Sequence, residues 1–418
     1  MRTKQITRRQ FLTATAAGAA GIALTSAGIL APQRVLGAND RLRVGLIGVG
    51  ERMGSLAKEF HGLKDDLNCE LVAVCDIWKT NREKAVKQLT DWYGVTPKVH
   101  ANYVDMLTAK DIDGLIIGTA DFHHATMLRN AILAGKHTYC EKPSANTLDD
   151  ANALIAAAEA NPKVIVQVGT QRRSDGKHYA AADFIKTGAL GKILRVNVSW
   201  NYFGARWIRD YKDVKPEDVD WSQFEFGRDQ RPFDARVFRQ WRLFRPFSTG
   251  IPCQWLSHMV DAVHIVTGAG FPKSCVAQGG TFIWKDGRQN GDTFEALYEY
   301  PEGFLLHYST TFGNGGSNDF RIIGSNGTLY GEFDSKGWRA CGDGGGGDGK
   351  LKEEIPIKGK SMPGHMRNWV ECVRSGNQPT ATVACGYQHS IALVMAVRAL
   401  DSGRRQVFDS QKRTISEA

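Results

Sequence analysis

Arg41-Leu42-Arg43-Val44-Gly45-Leu46-Ile47-Gly48-Val49-Gly50 runs from a charged edge through an apolar stretch into glycines, and a helix-period segment follows from Glu51. A short apolar run bounded by glycine reads as a buried strand; one that turns through glycines into a helix opens a βαβ unit. The pattern recurs. Apolar runs at 70–76, 113–118, 137–140 and 164–168 alternate with helix-period segments near 79–92, 123–134 and 147–160. Such alternation implies a parallel, doubly wound α/β sheet of the Rossmann type. Gly135 after Leu133-Ala134 fits a helix C-terminal cap, and Asn146 or Thr147 before Leu148-Asp149-Asp150 fits an N-cap.

From about Lys192 the period changes to the alternation of half-buried strands, at 193–200, 275–284, 293–300, 303–312, 319–323 and 327–333. Pro301-Glu302-Gly303 and Asn326-Gly327 supply turns between them. This half is expected to be an α+β domain with an open, mainly antiparallel sheet, whose exposed face makes a homo-oligomer the expectation. Gly342 to Gly349 lacks the Lys-Ser/Thr of a phosphate-binding loop and reads as a flexible connection. Helices at 363–374 and 384–402 are expected to return to the first domain. The resulting division is 1–38, 39–170, 171–360 and 361–418, with the last segment helical.

Residues 1–38 stand apart. Thr7-Arg8-Arg9-Gln10-Phe11-Leu12 precedes an Ala/Gly/Leu-rich stretch from Ala14 to Ala31 and a small-residue exit near Gly37 and Ala38, which resembles a twin-arginine export signal. The stretch is too short and too rich in Gly, Ala, Ser and Thr to insert strongly as an anchor. Passage through the twin-arginine translocase and a periplasmic or exported location are therefore expected. The formal charge of +9 falls to +4 without the five basic residues Arg2, Lys4, Arg8, Arg9 and Arg34. That excess is too mild to argue for nucleic acid, and no basic-aromatic array suggests it. The eight cysteines are scattered without a CxxC pair, so buried thiols are expected rather than disulfides. His123-His124 and His258…His264 lack metal-ligand spacing, so no metal is expected.

At the glycine turn, Gly48 and Gly50 allow a tight bend and close approach of backbone to a pyrophosphate, whose charge a helix N-terminus stabilises. Arg52 and Met53 follow in the same first turn. The third glycine is Gly54, so the motif reads GxGxxxG, one residue longer than the usual fingerprint. Asp76 ends the second strand roughly 20 residues on, where a carboxylate accepts hydrogen bonds from an adenosine ribose and repels a 2′-phosphate of about −2 charge. NAD is the expected cofactor. Lys79 and Arg82 keep NADP open.

Gly135-Lys136-His137-Thr138-Tyr139-Cys140-Glu141-Lys142-Pro143 sets a lysine between a carboxylate and a proline just after a short strand. With Asp113 to Ala120 followed by His124, this run resembles the Gfo/Idh/MocA oxidoreductases, and the resemblance covers nearly all of the chain after the export segment. Ala131 to Pro143 is its specific part. The resemblance implies that Lys142 is the active-site lysine, that Glu141 lies near the nicotinamide ribose, that Thr119 and His124 border the cofactor, and that Lys142-Pro143 is a cis peptide. It further implies that Gln171 and Arg172 face the cleft, that His258 is the catalytic histidine, and that Asp261 lies at the substrate. Tyr202, Arg206 and Trp207 offer a sugar platform or, equally, core or subunit contacts.

One position departs from the family. Where many relatives carry an aspartate four residues before the histidine, this chain has Gln254, which orients an imidazole but cannot charge it, so His258 is expected to be less basic. The resemblance implies hydride transfer from a carbohydrate or cyclic polyol hydroxyl to NAD, with Lys142 or His258 taking the hydroxyl proton. Export implies tightly held NAD, regenerated within each cycle. An alternative is an NAD-dependent glycosidase using transient oxidation and elimination, as in glycoside hydrolase family 109, which the chain also resembles. Another is a non-catalytic sugar-binding protein.

Overall fold

In the computed structural model, which describes residues 41–418 except 332, 335 and 346, Leu42–Ile47 (β1) lies inside a six-stranded parallel sheet. The expected export segment lies outside the described residues. Leu42, Val44, Leu46 and Ile47 are all buried, which is why this strand reads as a continuous apolar run. The chain continues through α1 (Glu51–His61), β2 (Cys69–Cys75), α2 (Lys79–Tyr93), β3 (Lys98–His100), α3 (Tyr103–Thr108), β4 (Gly114–Ile117), α4 (His124–Leu133), β5 (His137–Cys140), α5 (Leu148–Ala160) and β6 (Val166–Val168). Strand order is β3-β2-β1-β4-β5-β6. It reverses direction of growth between β1 and β4, and such a switch point opens a crevice beyond the strand ends.

Local chemistry accounts for the helix boundaries. Met53, Leu56, Ala57 and Phe60 form the buried stripe of α1. After α4, Gly135 takes φ 72°, and Lys136 N–H donates to Ala131 O at 2.9 Å, closing the helix with a left-handed cap. Thr147 caps α5 by accepting from Asp150 N at 3.2 Å. Asn146, the other cap candidate, points elsewhere: its amide donates to Asp121 Oδ1 at 3.1 Å. Strand β3 and helix α3 go unread in the sequence because neither is long enough to show a period.

The second half begins with α6 (Gly176–Lys186) and β7 (Ile193–Ser199), followed by a long segment with two short helices, α7 (Trp221–Glu225) and α8 (Ala235–Arg239). A π-helical turn, Pro252–Leu256, then runs directly into α9 (Ser257–Thr267). Strands β8 (Ser274–Gly280), β9 (Thr293–Tyr300), β10 (Phe304–Thr311), β11 (Asp319–Gly324), β12 (Thr328–Tyr330), β13 (Arg339–Cys341) and β14 (Ile355–Pro356) complete most of a ten-stranded sheet. All its pairings are antiparallel except β7 with β10. On β9, Phe294, Ala296, Tyr298 and Tyr300 face the core while Glu295, Leu297 and Glu299 face out. Strand β8 stops at Gly280, short of the expected 284. The Asp292 carboxylate gathers the N–H groups of Phe282, Ile283 and Trp284 at 3.0, 2.9 and 2.8 Å, turning the chain out of the sheet.

The C-terminal segment differs from a purely helical return. Helix α10 (His365–Ser375) does pack on the parallel sheet, with Trp369 beside Phe60 at 6.3 Å. Helix α11 (Val383–Ser402) joins both sheets: Tyr298 Oη donates to Ala392 O at 3.0 Å, and Ser390 Oγ accepts from Ala145 N at 3.2 Å. By length and composition α11 could span a membrane, yet most of it is buried inside the fold. Beyond it, β15 (Gln406–Asp409) and β16 (Thr414–Glu417) extend the second sheet next to β8. All eight cysteines are free thiols.

Candidate active site

The glycine turn after β1 is shaped for a close-lying anion. Gly48 has φ +77°, and a Cβ there would lie 2.8 Å from Thr119 Cα, so only glycine fits between the ends of β1 and β4. Gly50 caps α1 without a side chain, and a Cβ on it would meet only Asn81 Nδ2 at 3.9 Å. Room and unpaired N–H groups at a helix start suit the pyrophosphate of a dinucleotide. Gly54 plays no comparable part: nothing lies within 4 Å of its Cβ position, and it borders a cavity of about 270 Å³ between α1 and α2, away from Lys142. Close packing of helix on strand falls instead to Gly118, whose Cβ position is 3.0 Å from Met53 Cε. That explains why the longer spacing is tolerated.

Asp76 ties this turn to β2. Its Oδ2 accepts from Val49 N at 2.7 Å and its Oδ1 from Trp78 N at 2.7 Å. Arg82 donates to the Asp76 carbonyl at 2.6 Å, and Lys79 lies 3.9 Å from Glu83, so both basic groups weighed for a 2′-phosphate have other partners. The long segment after β7 folds over the same corner. Asp220 N–H donates to Ile77 O at 2.9 Å, Phe238 meets Trp78 edge-on at 5.7 Å, and Arg209 pairs with both oxygens of Glu51 at 3.0 and 2.9 Å.

The other side of the crevice is the turn after β5. Lys142-Pro143 is a cis peptide. Glu141 Oε1 accepts from Arg52 Nε at 2.7 Å, linking this turn to the start of α1. His124 is buried with Nδ1 2.9 Å from Pro143 O and Nε2 3.2 Å from Thr119 O. It therefore braces the turn from behind, and Thr119 closes the cradle against Gly48. The Lys142 ammonium donates to Gln254 O at 2.9 Å and reaches Cys253 O at 3.5 Å, both in the π-helical turn that feeds α9. Widened turns of this kind expose carbonyl oxygens and recur at functional sites. Burial, then Arg242, pull the Lys142 pKa down to about 8, with Glu141 opposing.

His258 sits at the start of α9, with its ring edge-on to Trp200 at 6.0 Å. Burial, then the charges of Lys142 and Arg172, hold its pKa well below the usual 6.5. Lys142 and His258, far apart in sequence, thus meet at one cleft. Arg172 lies there too, its guanidinium 5.3 Å from the Trp200 ring, with Gln171 half-buried at the adjoining turn. Trp200 packs at a tilt of 31° against Trp255 at 4.4 Å, and Arg206 lies over Tyr202 and Trp255 at 4.8 and 5.6 Å.

Three expected substrate residues turn their side chains to partners within the protein. Trp207 has φ 69°, which turns its ring inward against Phe312 at 5.1 Å; Trp200 and Trp255 form the aromatic wall in its place. Asp261 is 1% exposed and accepts from Arg173 Nε at 2.7 Å, so its charge is spent behind the cleft. The Gln254 side chain points away from His258, since the π-turn breaks the one-turn relation expected of residues four apart. Its Nε2 donates to Asp121 Oδ2 at 2.7 Å and its Oε1 accepts from Arg242 Nε at 3.0 Å. Asp121 and Arg242 were missed in the sequence; an acid directly after the Thr119-Ala120 strand end was the one available signal.

The residues present fit NAD: a glycine cradle, an uncapped helix start, a strand-end acid and a lysine-bearing turn. Residues 42–170 match the family model described as the oxidoreductase family with an NAD-binding Rossmann fold, and residues 218–330 match the GFO/IDH/MocA C-terminal domain. Inositol 2-dehydrogenase of Salmonella typhimurium is 31% identical over 175 residues, which is 41% of this chain and 48% of that protein. A glycosyl hydrolase family 109 protein of Shewanella putrefaciens is 28% identical over 238 residues, 52% of this chain and 50% of that protein. The chain spans about half the length of these curated relatives. Aldose-aldose oxidoreductase from Caulobacter crescentus shares the fold, with a TM-score of 0.65 at 20% identity over 88% of this chain and 100% of that one. Two matched domains, in the order and with the sheet topology found here, place this chain in the Gfo/Idh/MocA family of NAD-binding oxidoreductases.

Proposed function

We propose that this protein oxidises a ring hydroxyl of a sugar or cyclic polyol with NAD that it holds from one turnover to the next, the hydride passing from bound NADH to the carbonyl of a second sugar to close the cycle. The observation that carries this reading is the Lys142 ammonium. It comes from the cofactor-binding sheet yet rests on the carbonyls that lead into the His258 helix. Bound NAD supplies the hydride acceptor; the chain supplies position and proton handling. Two N–H groups of Lys142 point at Gln254 O and Cys253 O, so loss of the third proton leaves a lone pair for a substrate hydroxyl. With its pKa near 8, Lys142 is partly amine at neutral pH and able to take the hydroxyl proton. His258, neutral at the same pH, orients that hydroxyl, and the Trp200 and Trp255 rings give its C–H face an apolar wall.

Because deprotonation of Lys142 makes the base, kcat/KM for oxidation is expected to rise with pH and level off above about 8. No step is expected near 6.5, since His258 has already lost its proton there. A profile already flat at pH 6 would move the proton acceptor away from Lys142.

Retention of NAD is supported by the segment that closes over Trp78 and Glu51, which must shift before the adenosine end leaves. Export through the twin-arginine route fits the same reading, because a protein that crosses folded carries its cofactor along. Protein purified without added NAD and then denatured is expected to release close to one NAD(H) per chain. An empty yet fully active enzyme excludes retention. Similarity to a family 109 protein, 28% identical over 52% of the chain, supports a second reading, oxidation followed by elimination of a glycosidic group. Assays of aryl glycosides and free sugars separate the two: aglycone release without net NADH favours the glycosidase.

A further inference from the structure

The wall beside Lys142 carries positive charge that the chain does not pair directly with an acid. Nearby arginines are matched to acids: Arg52 to Glu141, Arg173 to Asp261, Arg209 to Glu51. Arg206 and Arg242 form no ion pair among the described residues. Arg242 spends its Nε on Gln254 Oε1 at 3.0 Å and lies over Trp241 at 4.1 Å. The carboxylate of that network, Asp121, is taken by Gln254 Nε2, Ser248 Oγ and Asn146 Nδ2 at 2.7, 3.0 and 3.1 Å. Gln254 is thus interposed between base and acid. Arg206 has a buried Nε with no partner, and its guanidinium rests only on the Tyr202 and Trp255 rings.

Arg242 borders the reacting centre and Arg206 lies along its aromatic wall. Arg242 is bonded to the residue whose carbonyl holds the Lys142 ammonium at 2.9 Å. Arg206 covers Trp255, which packs against Trp200, which in turn faces His258. Burial lowers the Arg242 pKa to about 10, Arg209 and Arg206 adding to the effect and Asp121 opposing it. An oxidised nicotinamide ring brings one more positive charge. Half-buried cations of this density are costly without a counter-charge, and a guanidinium fork matches the paired oxygens of a carboxylate or sulfate.

We propose that Arg206 and Arg242 form a subsite for an anionic substituent, a carboxylate or a sulfate ester, on the sugar whose hydroxyl Lys142 addresses. This rests on the reading of the cleft as a sugar oxidoreductase, and a binding measurement separates the two. Holoenzyme loaded with NADH, in which oxidation cannot proceed, is titrated with glucose, glucuronate and sulfated glucose, and with the same three forms of galactose. Binding is followed by cofactor fluorescence, and turnover with NAD⁺ is assayed in parallel.

An anionic form is expected to bind roughly 10- to 100-fold more tightly than its neutral parent, the range of a charge-assisted hydrogen bond. The ratio is expected to fall toward one in Arg206→Met and in Arg242→Met. Preference for uronates identifies the carboxylate as the group and preference for sulfated sugars the sulfate; either supports the subsite. Equal affinity for charged and neutral sugars, or a preference that survives both substitutions, overturns it and leaves the oxidoreductase reading intact. Charge-selective binding without hydride transfer from any sugar supports the subsite and overturns the oxidoreductase. Arg242→Met also strips Gln254 of a partner, so Arg206→Met, which loses only ring stacking, decides the matter if the other variant does not fold.

Discussion

Lys142→Met is expected to lower sugar turnover about 10³-fold while NAD stays in place, because it removes the proton acceptor but leaves the glycine cradle untouched. Methionine keeps the length and apolar stem of lysine, so the turn held by Glu141 and His124 has no reason to move. Lys142→Arg is expected to fail nearly as badly, since a guanidinium does not surrender its proton at working pH. The measurement is single-turnover reduction of bound NAD together with cofactor content after denaturation. Retention of more than a tenth of the wild-type rate in Lys142→Met would falsify the role given to this amine. Unchanged sugar affinity with no turnover even in the wild type would point to a binding protein that keeps the fold.

The second large effect concerns stability. Asp261→Leu is expected to destabilise the protein by about 3–5 kcal/mol, because it leaves Arg173 buried without its counter-charge. Arg173 Nε lies 2.7 Å from Asp261 Oδ1, His389 Nδ1 approaches the same oxygen at 3.9 Å, and the Arg173 side chain is only 11% exposed, so little solvent reaches it to compensate. Adding Arg173→Met should recover most of the loss, since an apolar pair of similar volume replaces the ions. Urea denaturation of the holoenzyme at fixed NAD concentration reads the difference. If Asp261→Leu instead leaves stability intact and raises the substrate KM steeply, Asp261 reaches the substrate and its placement behind the cleft is wrong.

Features that rest on neighbouring residues were legible in the chain itself. The apolar run into Gly48 and Gly50, the left-handed cap at Gly135 and the N-cap at Thr147 each follow from backbone sterics or a bond to a residue at most a few positions away. So did the alternation of β9 and β10, whose inward and outward faces differ residue by residue. Glu141-Lys142-Pro143 stood out for the same reason: its residue types are unusual together at a strand end.

What the sequence by itself determined was therefore the order of the longer elements, the glycine turn and the strand-end turn that carries Lys142. Tertiary structure alone decided where side chains spend their charge. Gln254 and His258 stand four apart, but the π-helical turn between them follows no 3.6-residue pattern, so the amide turns toward Asp121 and Arg242 instead of the imidazole. Asp261 looked like a cleft residue until Arg173, from another element, claimed it. Trp207 was lost to the core through a left-handed backbone, and Trp200 came forward because α9 packs beside its strand end. Each of these outcomes depends on a partner distant in sequence, and an electrostatic or packing preference of that kind exists only once folding has brought the two groups into contact.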